Sequence, residues 1–180
     1  MLTVPNALSA FRILLIPAFV VLLVSEDTRL AGFLLLGAVV STDWVDGLVA
    51  RRTGQVTELG KLLDPLADRL AMAAALITFV VLHLFPLWAA LMVLLRDAVV
   101  LAVAVWLWLT RGPRIEVRPI GKYATFTLMW GAPAIAWSNA GLPFQDFVAV
   151  FGWLWFGVGT LEYYAAAVAY GRDLRAARRA

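Results

Sequence analysis

Four aspartates stand close together in an otherwise oily chain, in the pattern Asp43-x2-Asp46-Gly47-x2-Ala50-Arg51-x8-Gly60-x3-Asp64-x3-Asp68. A carboxylate at membrane depth costs roughly 2.5–3.5 kcal/mol on insertion scales. Grouped carboxylates also repel one another unless cations neutralise them. Asp43 and Asp46 are three residues apart, and Asp64 and Asp68 are four apart, so each pair shares one helix face. A short loop between two helices would bring the pairs together across an antiparallel hairpin. Every charged ligand candidate is an oxygen, and no His or Cys lies nearby. The expected metal is therefore hard, Mg²⁺ or Mn²⁺, with Ca²⁺ as a further candidate. Four carboxylates suit two divalent ions bridging a phosphate, a two-metal clamp.

The small residues Gly47, Ala50 and Gly60 leave open backbone beside the acids. That suits close approach of a flat base or a diphosphate, and equally the tight packing of membrane helices. Arg51 either pairs with an aspartate or holds a phosphate. On residue chemistry alone, three readings of the cluster stay open: two-metal phosphoryl chemistry, an ion pathway or proton relay, and structural charge pairing.

The elements that must position these groups are helices in an apolar medium. The chain of 180 residues is 63% hydrophobic and 15% charged, with a mean hydropathy of +0.86. A spanning helix needs about 20 apolar residues, so the expected fold is an all-α integral membrane protein, one domain over residues 1–180 with six transmembrane helices. Polar clusters and prolines divide it into helices at roughly 6–24, 30–51, 59–84, 87–109, 120–137 and 144–170, followed by a basic tail. Six spans put both termini on one side. The loops on that side hold Arg51, Arg52, Arg111, Arg114 and Arg118, and the tail adds Arg172, Arg175, Arg178 and Arg179. The opposite loops hold Glu26, Asp27, Arg29, His83 and Asp146. This asymmetry places the termini and the carboxylate loop in the cytoplasm of a multi-pass cell-membrane protein. The same asymmetry accounts for the net charge of +3 without any nucleic-acid partner.

The first apolar stretch, Ala7 to Val24, has no basic region before it, contains Arg12, and is followed by Ser25-Glu26-Asp27 rather than a cleavage site. It is expected to be a retained helix rather than a signal peptide. There is no cysteine, which excludes disulfides, thiolate chemistry and sulfur-ligated metals. The acidic cluster has no counterpart in the second half of the chain, against an inverted-repeat transporter.

The string from Asp43 to Arg51, followed by Gly60, Asp64 and Asp68, resembles the signature of the CDP-alcohol phosphotransferase family at all eight fixed positions. The run Val4-Pro5-Asn6-Ala7-Leu8-Ser9 leading to Arg12 is similar to the family's entry into its first helix. The resemblance covers nearly the whole chain. It implies transfer of a phosphatidyl group from CDP-diacylglycerol to an alcohol, with release of CMP. By the same resemblance Asp43, Asp46 and Asp64 bind two divalent ions. Asp68 helps to hold one of them and acts as general base on the acceptor hydroxyl. Gly47, Ala50 and Gly60 line the cytidine side, and Arg51 steadies the diphosphate. The family also implies a homodimer among membrane lipids.

The acceptor is sought among the remaining charges. Arg96 and Asp97 lie within an apolar run, where ionisable residues are usually functional. Arg114, Arg118 and Lys122 cluster on the cytoplasmic side and suit an anionic acceptor. The competing reading is topogenic charge or headgroup contact. Gly121-Lys122 resembles a pair in the glycerol-phosphate branches of the family. A basic pocket favours a glycerol-type phosphorylated acceptor over choline, ethanolamine or serine. Phosphatidylglycerol, which would give cardiolipin, and glycerol 3-phosphate, which would give phosphatidylglycerophosphate, stand nearly even. An inositol phosphate is a third candidate. Outside the family, the alternative is a carboxylate-based ion transporter. His83 and most of the tryptophans are expected at interfaces or in helix packing.

Overall fold

The computed structural model describes the backbone of residues 4–53, 58–109 and 119–177, and side chains over 11–41, 67–103, 105–106, 109 and 123–169. Among these residues there are six helices and no strands: α1 (Val4–Val24), α2 (Arg29–Thr53), α3 (Glu58–Val81), α4 (Leu87–Leu109), α5 (Pro119–Asn139) and α6 (Gln145–Ala177). Among the described residues, no helix is long and apolar enough to cross a membrane. The helices group into two compact units, Met1–His83 and Leu84–Ala180.

In the first unit α1 packs against both α2 and α3. The turn from α1 to α2 is held by side chains that satisfy the last carbonyls of α1. The Thr28 hydroxyl donates to the Leu22 carbonyl at 2.9 Å, and Arg29 Nε donates to the Leu23 carbonyl at 3.3 Å. These are groups a helix end otherwise leaves without partners. Close approach follows from Gly32, where an added Cβ would lie 2.8 Å from the Leu23 backbone nitrogen. Phe19, Leu23, Leu76 and Phe79 are fully buried between the helices, and Phe33 stacks on Phe79 with ring centroids 5.5 Å apart.

In the second unit α5 and α6 form an antiparallel pair. A Cβ at Gly131 would come within 2.7 Å of the Phe156 backbone nitrogen, and one at Gly152 within 2.8 Å of that of Ile135. Small residues are what allow two helices to approach so closely. Asn139 Nδ2 donates to the Leu84 carbonyl at 3.0 Å, tying the end of α5 to the segment before α4. Trp88 of α4 stacks with Trp153 of α6 at 6.3 Å, and the Tyr164 hydroxyl reaches the Met92 carbonyl at 3.4 Å.

Two helix ends lie three or more residues from the sequence expectation. The third helix stops at Val81 rather than Leu84. His83 adopts a left-handed backbone, φ 58°, and its amide bonds back to Val80. Pro86 disfavours a helical residue before it and instead opens α4, its carbonyl accepting from Ala89 and Ala90 at 3.1 and 3.2 Å. The sixth helix continues past Tyr170 to Ala177. Arg172-Asp173-Leu174-Arg175-Ala176-Ala177 contains good helix formers, and cations at a helix C-terminus complement its dipole.

Candidate active site

The acidic signature falls on two consecutive helices. Asp43, Asp46, Gly47, Ala50 and Arg51 belong to the last part of α2, and Gly60, Asp64 and Asp68 to the first half of α3. The helical spacing expected of each carboxylate pair is therefore met by the backbone. The side chains of Asp43, Asp46, Ala50, Arg51 and Asp64, and the surroundings of Gly47 and Gly60, lie outside the described residues. Among the described residues no group of three or more His, Cys, Asp or Glu side chains gathers, Asp68 being the member of the signature whose side chain is described.

Asp68 is engaged from a helix that the signature does not include. Arg12, halfway along α1, donates through Nη1 to Asp68 Oδ1. The Arg12 side chain is only 5% exposed and that of Asp68 is 25% exposed. A guanidinium this deeply buried needs a charged or strongly hydrogen-bonding partner, and α1 runs beside α3 so that Asp68 supplies one. The donor set chemistry fits a divalent-ion site: four carboxylates on two helices joined by a short connection, with no softer ligand among them.

A second polar cluster lies in the other unit, between α4 and α6. Arg96 Nη1 lies 3.3 Å from Asp97 Oδ1. The guanidinium stacks over the Tyr163 ring, its central carbon 3.4 Å from the ring centroid. The Tyr163 hydroxyl donates to the same Asp97 oxygen. Tyr163 is buried, and the Arg96 side chain is 9% exposed. Arg96 Nε is buried with no hydrogen-bond partner. Arg96 and Asp97 thus form a part-buried pair within the apolar run. Arg114 and Arg118, the other acceptor candidates, lie outside the described residues. Lys122 sits in the first turn of α5, and its side chain also lies outside them.

Glu162 of α6 lies 3.5 Å from the Thr127 hydroxyl. That hydroxyl has one proton and is closer to the α5 carbonyls of Ala124 and Tyr123, at 3.0 and 3.1 Å. The contact with Glu162 is the weakest of the three.

Sequence reasoning missed two residues. Arg12 served only as an argument against a signal peptide and as part of a family-like entry, although a lone arginine in an apolar helix already signals a buried acidic partner. Tyr163 carried no signal separable from the other aromatic residues of the last helix.

A family model described as CDP-alcohol phosphatidyltransferase matches residues 2–161 of this chain. The chain is 36% identical to the cardiolipin synthase (CMP-forming) of Streptomyces coelicolor, over 97% of this chain and 83% of that protein. It is 33% identical to the CDP-diacylglycerol--glycerol-3-phosphate 3-phosphatidyltransferase of Bacillus subtilis, over 87% of this chain and 94% of that protein. It is 34% identical to the protein of the same description from Escherichia coli K12, over 74% of this chain and 75% of that protein.

Proposed function

The chain belongs to the CDP-alcohol phosphatidyltransferase family, and from that premise we propose that it transfers the phosphatidyl group of CDP-diacylglycerol to a hydroxyl of phosphatidylglycerol, forming cardiolipin and releasing CMP. The observation that carries this acceptor is the near-full-length similarity to a CMP-forming cardiolipin synthase. The second reading is glycerol 3-phosphate as acceptor, favoured by the similarity to glycerol-3-phosphate phosphatidyltransferases. Both acceptors present a glycerol hydroxyl and a phosphate, so one mechanism serves either.

The family is generally dependent on divalent cations. Asp43, Asp46, Asp64 and Asp68 would hold two such ions, Mg²⁺ or Mn²⁺, which when bound neutralise the diphosphate and the charge of the transferring phosphoryl group. Arg51 steadies the diphosphate, and Gly47, Ala50 and Gly60 give the cytidine end room. Asp68 accepts the proton of the acceptor hydroxyl as the hydroxyl oxygen bonds to the phosphatidyl phosphorus. The bond from that phosphorus to the CMP oxygen breaks, and CMP leaves with the bonding electron pair. Arg12 holds Asp68 from α1, so the base is oriented by a buried cation rather than by solvent. Arg96, Asp97, Arg114, Arg118 and Lys122 are assigned to the acceptor.

The enzyme acts as a multi-pass protein of the cell membrane, with its aspartates on the cytoplasmic side, and pairs with a second copy there. The support is the 63% hydrophobic composition and the apolar outward faces of the helices. Leu14, Val21, Leu34, Val81, Leu95 and Leu161 are each more than 60% exposed. Isolated exposed apolar residues are ordinary, but faces of this kind on five of the six described helices suit lipid rather than water.

The test is CMP release from CDP-diacylglycerol by purified protein in detergent with Mg²⁺ or Mn²⁺, with phosphatidylglycerol and glycerol 3-phosphate in parallel and Asp68→Asn as control. Turnover with phosphatidylglycerol supports the proposal. Turnover with glycerol 3-phosphate alone moves the protein to the second reading. Nucleotide-independent ion flux in liposomes, without CMP release, would overturn the enzymatic reading in favour of transport.

A further inference from the structure

The contact between Arg12 and Asp68 is stronger than orienting a carboxylate requires. A neutral donor such as a serine hydroxyl or an asparagine amide can hold a carboxylate in place. Arg12 instead brings a guanidinium, which stays protonated in proteins, and its side chain is only 5% exposed. It stands on the same face of α1 as the fully buried Phe19 and Leu23. An apolar residue there would pack without the desolvation penalty that a buried charge carries. The positive charge, and not only the hydrogen bond, therefore calls for a role.

Asp68 has two tasks in the reaction proposed above: it helps to hold a divalent ion, and it accepts the proton of the acceptor hydroxyl. Both tasks draw on the same two oxygens. Arg12 donates to Oδ1 from the packed side of α1, while 25% of the Asp68 side chain remains exposed. Both residues belong to the first unit, Met1–His83. Like charges repel at short range, so a guanidinium bonded to Asp68 opposes the closing of that carboxylate around a divalent ion. A neutral orienting donor would act the other way. Partners that only orient a metal ligand strengthen the site, and losing one costs about 10- to 100-fold in metal affinity.

We propose that Arg12 is a positioning residue that holds one oxygen of Asp68 back from the divalent ions, so that the carboxylate stays available to the acceptor hydroxyl instead of closing on the metal. This rests on the transferase reading above and adds the residue that divides Asp68 between its two tasks. Removing Arg12 then tightens ion binding while slowing turnover. Loss of a purely structural contact does not produce that combination, because a loosened site binds its ions more weakly.

The experiment measures the Mn²⁺ Kd of the purified protein in detergent, from the electron paramagnetic resonance signal of free Mn²⁺, together with kcat for CMP release. It compares wild type, Arg12→Met, Arg12→Lys, Asp68→Asn and the double variant Arg12→Met/Asp68→Asn. Arg12→Met is expected to bind Mn²⁺ about 5- to 100-fold more tightly than wild type and to lose about 10- to 100-fold in kcat. Added Mn²⁺ should accordingly raise its unfolding midpoint more than that of wild type. Arg12→Lys keeps the charge but not the rigid plane, and is expected to fall between the two in both Kd and kcat. With Asp68→Asn in place, removing Arg12 should change the Mn²⁺ Kd by less than about threefold, because the effect runs through that carboxylate. Equal tightening in the Asp68→Asn background would show a general charge effect and overturn the proposal. Tighter binding with kcat unchanged would overturn it too. Arg12→Met or Arg12→Lys binding Mn²⁺ no tighter than wild type, with wild type releasing CMP in a Mn²⁺-dependent way, would overturn this proposal alone. Wild type with no saturable Mn²⁺ binding, or with no CMP release from either acceptor, would overturn the transferase reading and the proposal together. Arg12→Lys carries the test even if Arg12→Met fails to fold.

Discussion

Arg12 and Asp68, 56 residues apart, form a part-buried ion pair that joins α1 to α3. One partner belongs to the family's acidic signature and the other to a helix outside it. Removing one member of a buried pair leaves an uncompensated charge, at a cost of about 3–5 kcal/mol. Because Asp68 is partly exposed, the loss for Arg12→Met should lie at the low end of that range. Thermal unfolding in detergent checks this. The double variant Arg12→Met/Asp68→Asn should recover part of the stability lost by Arg12→Met, and no recovery would mean that the pair contributes little beyond packing.

Asp68→Asn keeps the size of the side chain but removes the proton acceptor. CMP release should fall by about 10²- to 10⁴-fold, the usual range for a general base. The variant should still unfold cooperatively. A loss smaller than tenfold would move the base to another residue.

Chelation should abolish CMP release, and adding back Mg²⁺ or Mn²⁺ should restore it, because carboxylate oxygens prefer hard divalent ions. Undiminished turnover after exhaustive treatment with a chelator would remove the two-metal clamp from the mechanism.

The described glycines of α5 and α6 are of two kinds. At Gly131 and Gly152 a methyl group would meet the neighbouring helix's backbone at 2.7 and 2.8 Å, whereas at Gly157 nothing lies within 4 Å. Gly152→Ala should therefore destabilise by about 1–3 kcal/mol through overpacking. Gly157→Ala should be neutral or stabilising by up to about 1 kcal/mol, since alanine is the better helix former. Unfolding midpoints of the two variants, compared side by side, check the close approach of the two helices.

Much of the proposed site is read from the chain itself. The spacing of Asp43, Asp46, Asp64 and Asp68 marks the proposed site, because repeats of three and four residues place side chains on a common helix face whatever the surrounding fold. The six helices were legible for a related reason: apolar runs broken by Ser25-Glu26-Asp27, Pro86 and Ser138-Asn139 state their own limits. The misjudged ends mark where local signals compete. At His83 an apolar run continued past the point where the backbone turns left-handed. Beyond Tyr170 a charged tail proved compatible with helix.

The partners of the charges could not be read this way. That Arg12 answers Asp68, and that Tyr163 reaches Asp97 across 66 residues, depends on which helix faces meet. The meeting is decided by packing between those helices, such as Phe19 and Leu23 of α1 buried with Leu76 and Phe79 of α3, and Trp88 of α4 stacked on Trp153 of α6. Spacing along a helix is a local property, so the sequence determined the acidic signature, the helical elements and the family's chemistry. The matching of one helix face to another is a sum over many distant contacts, and only the tertiary structure decided which cation holds which carboxylate.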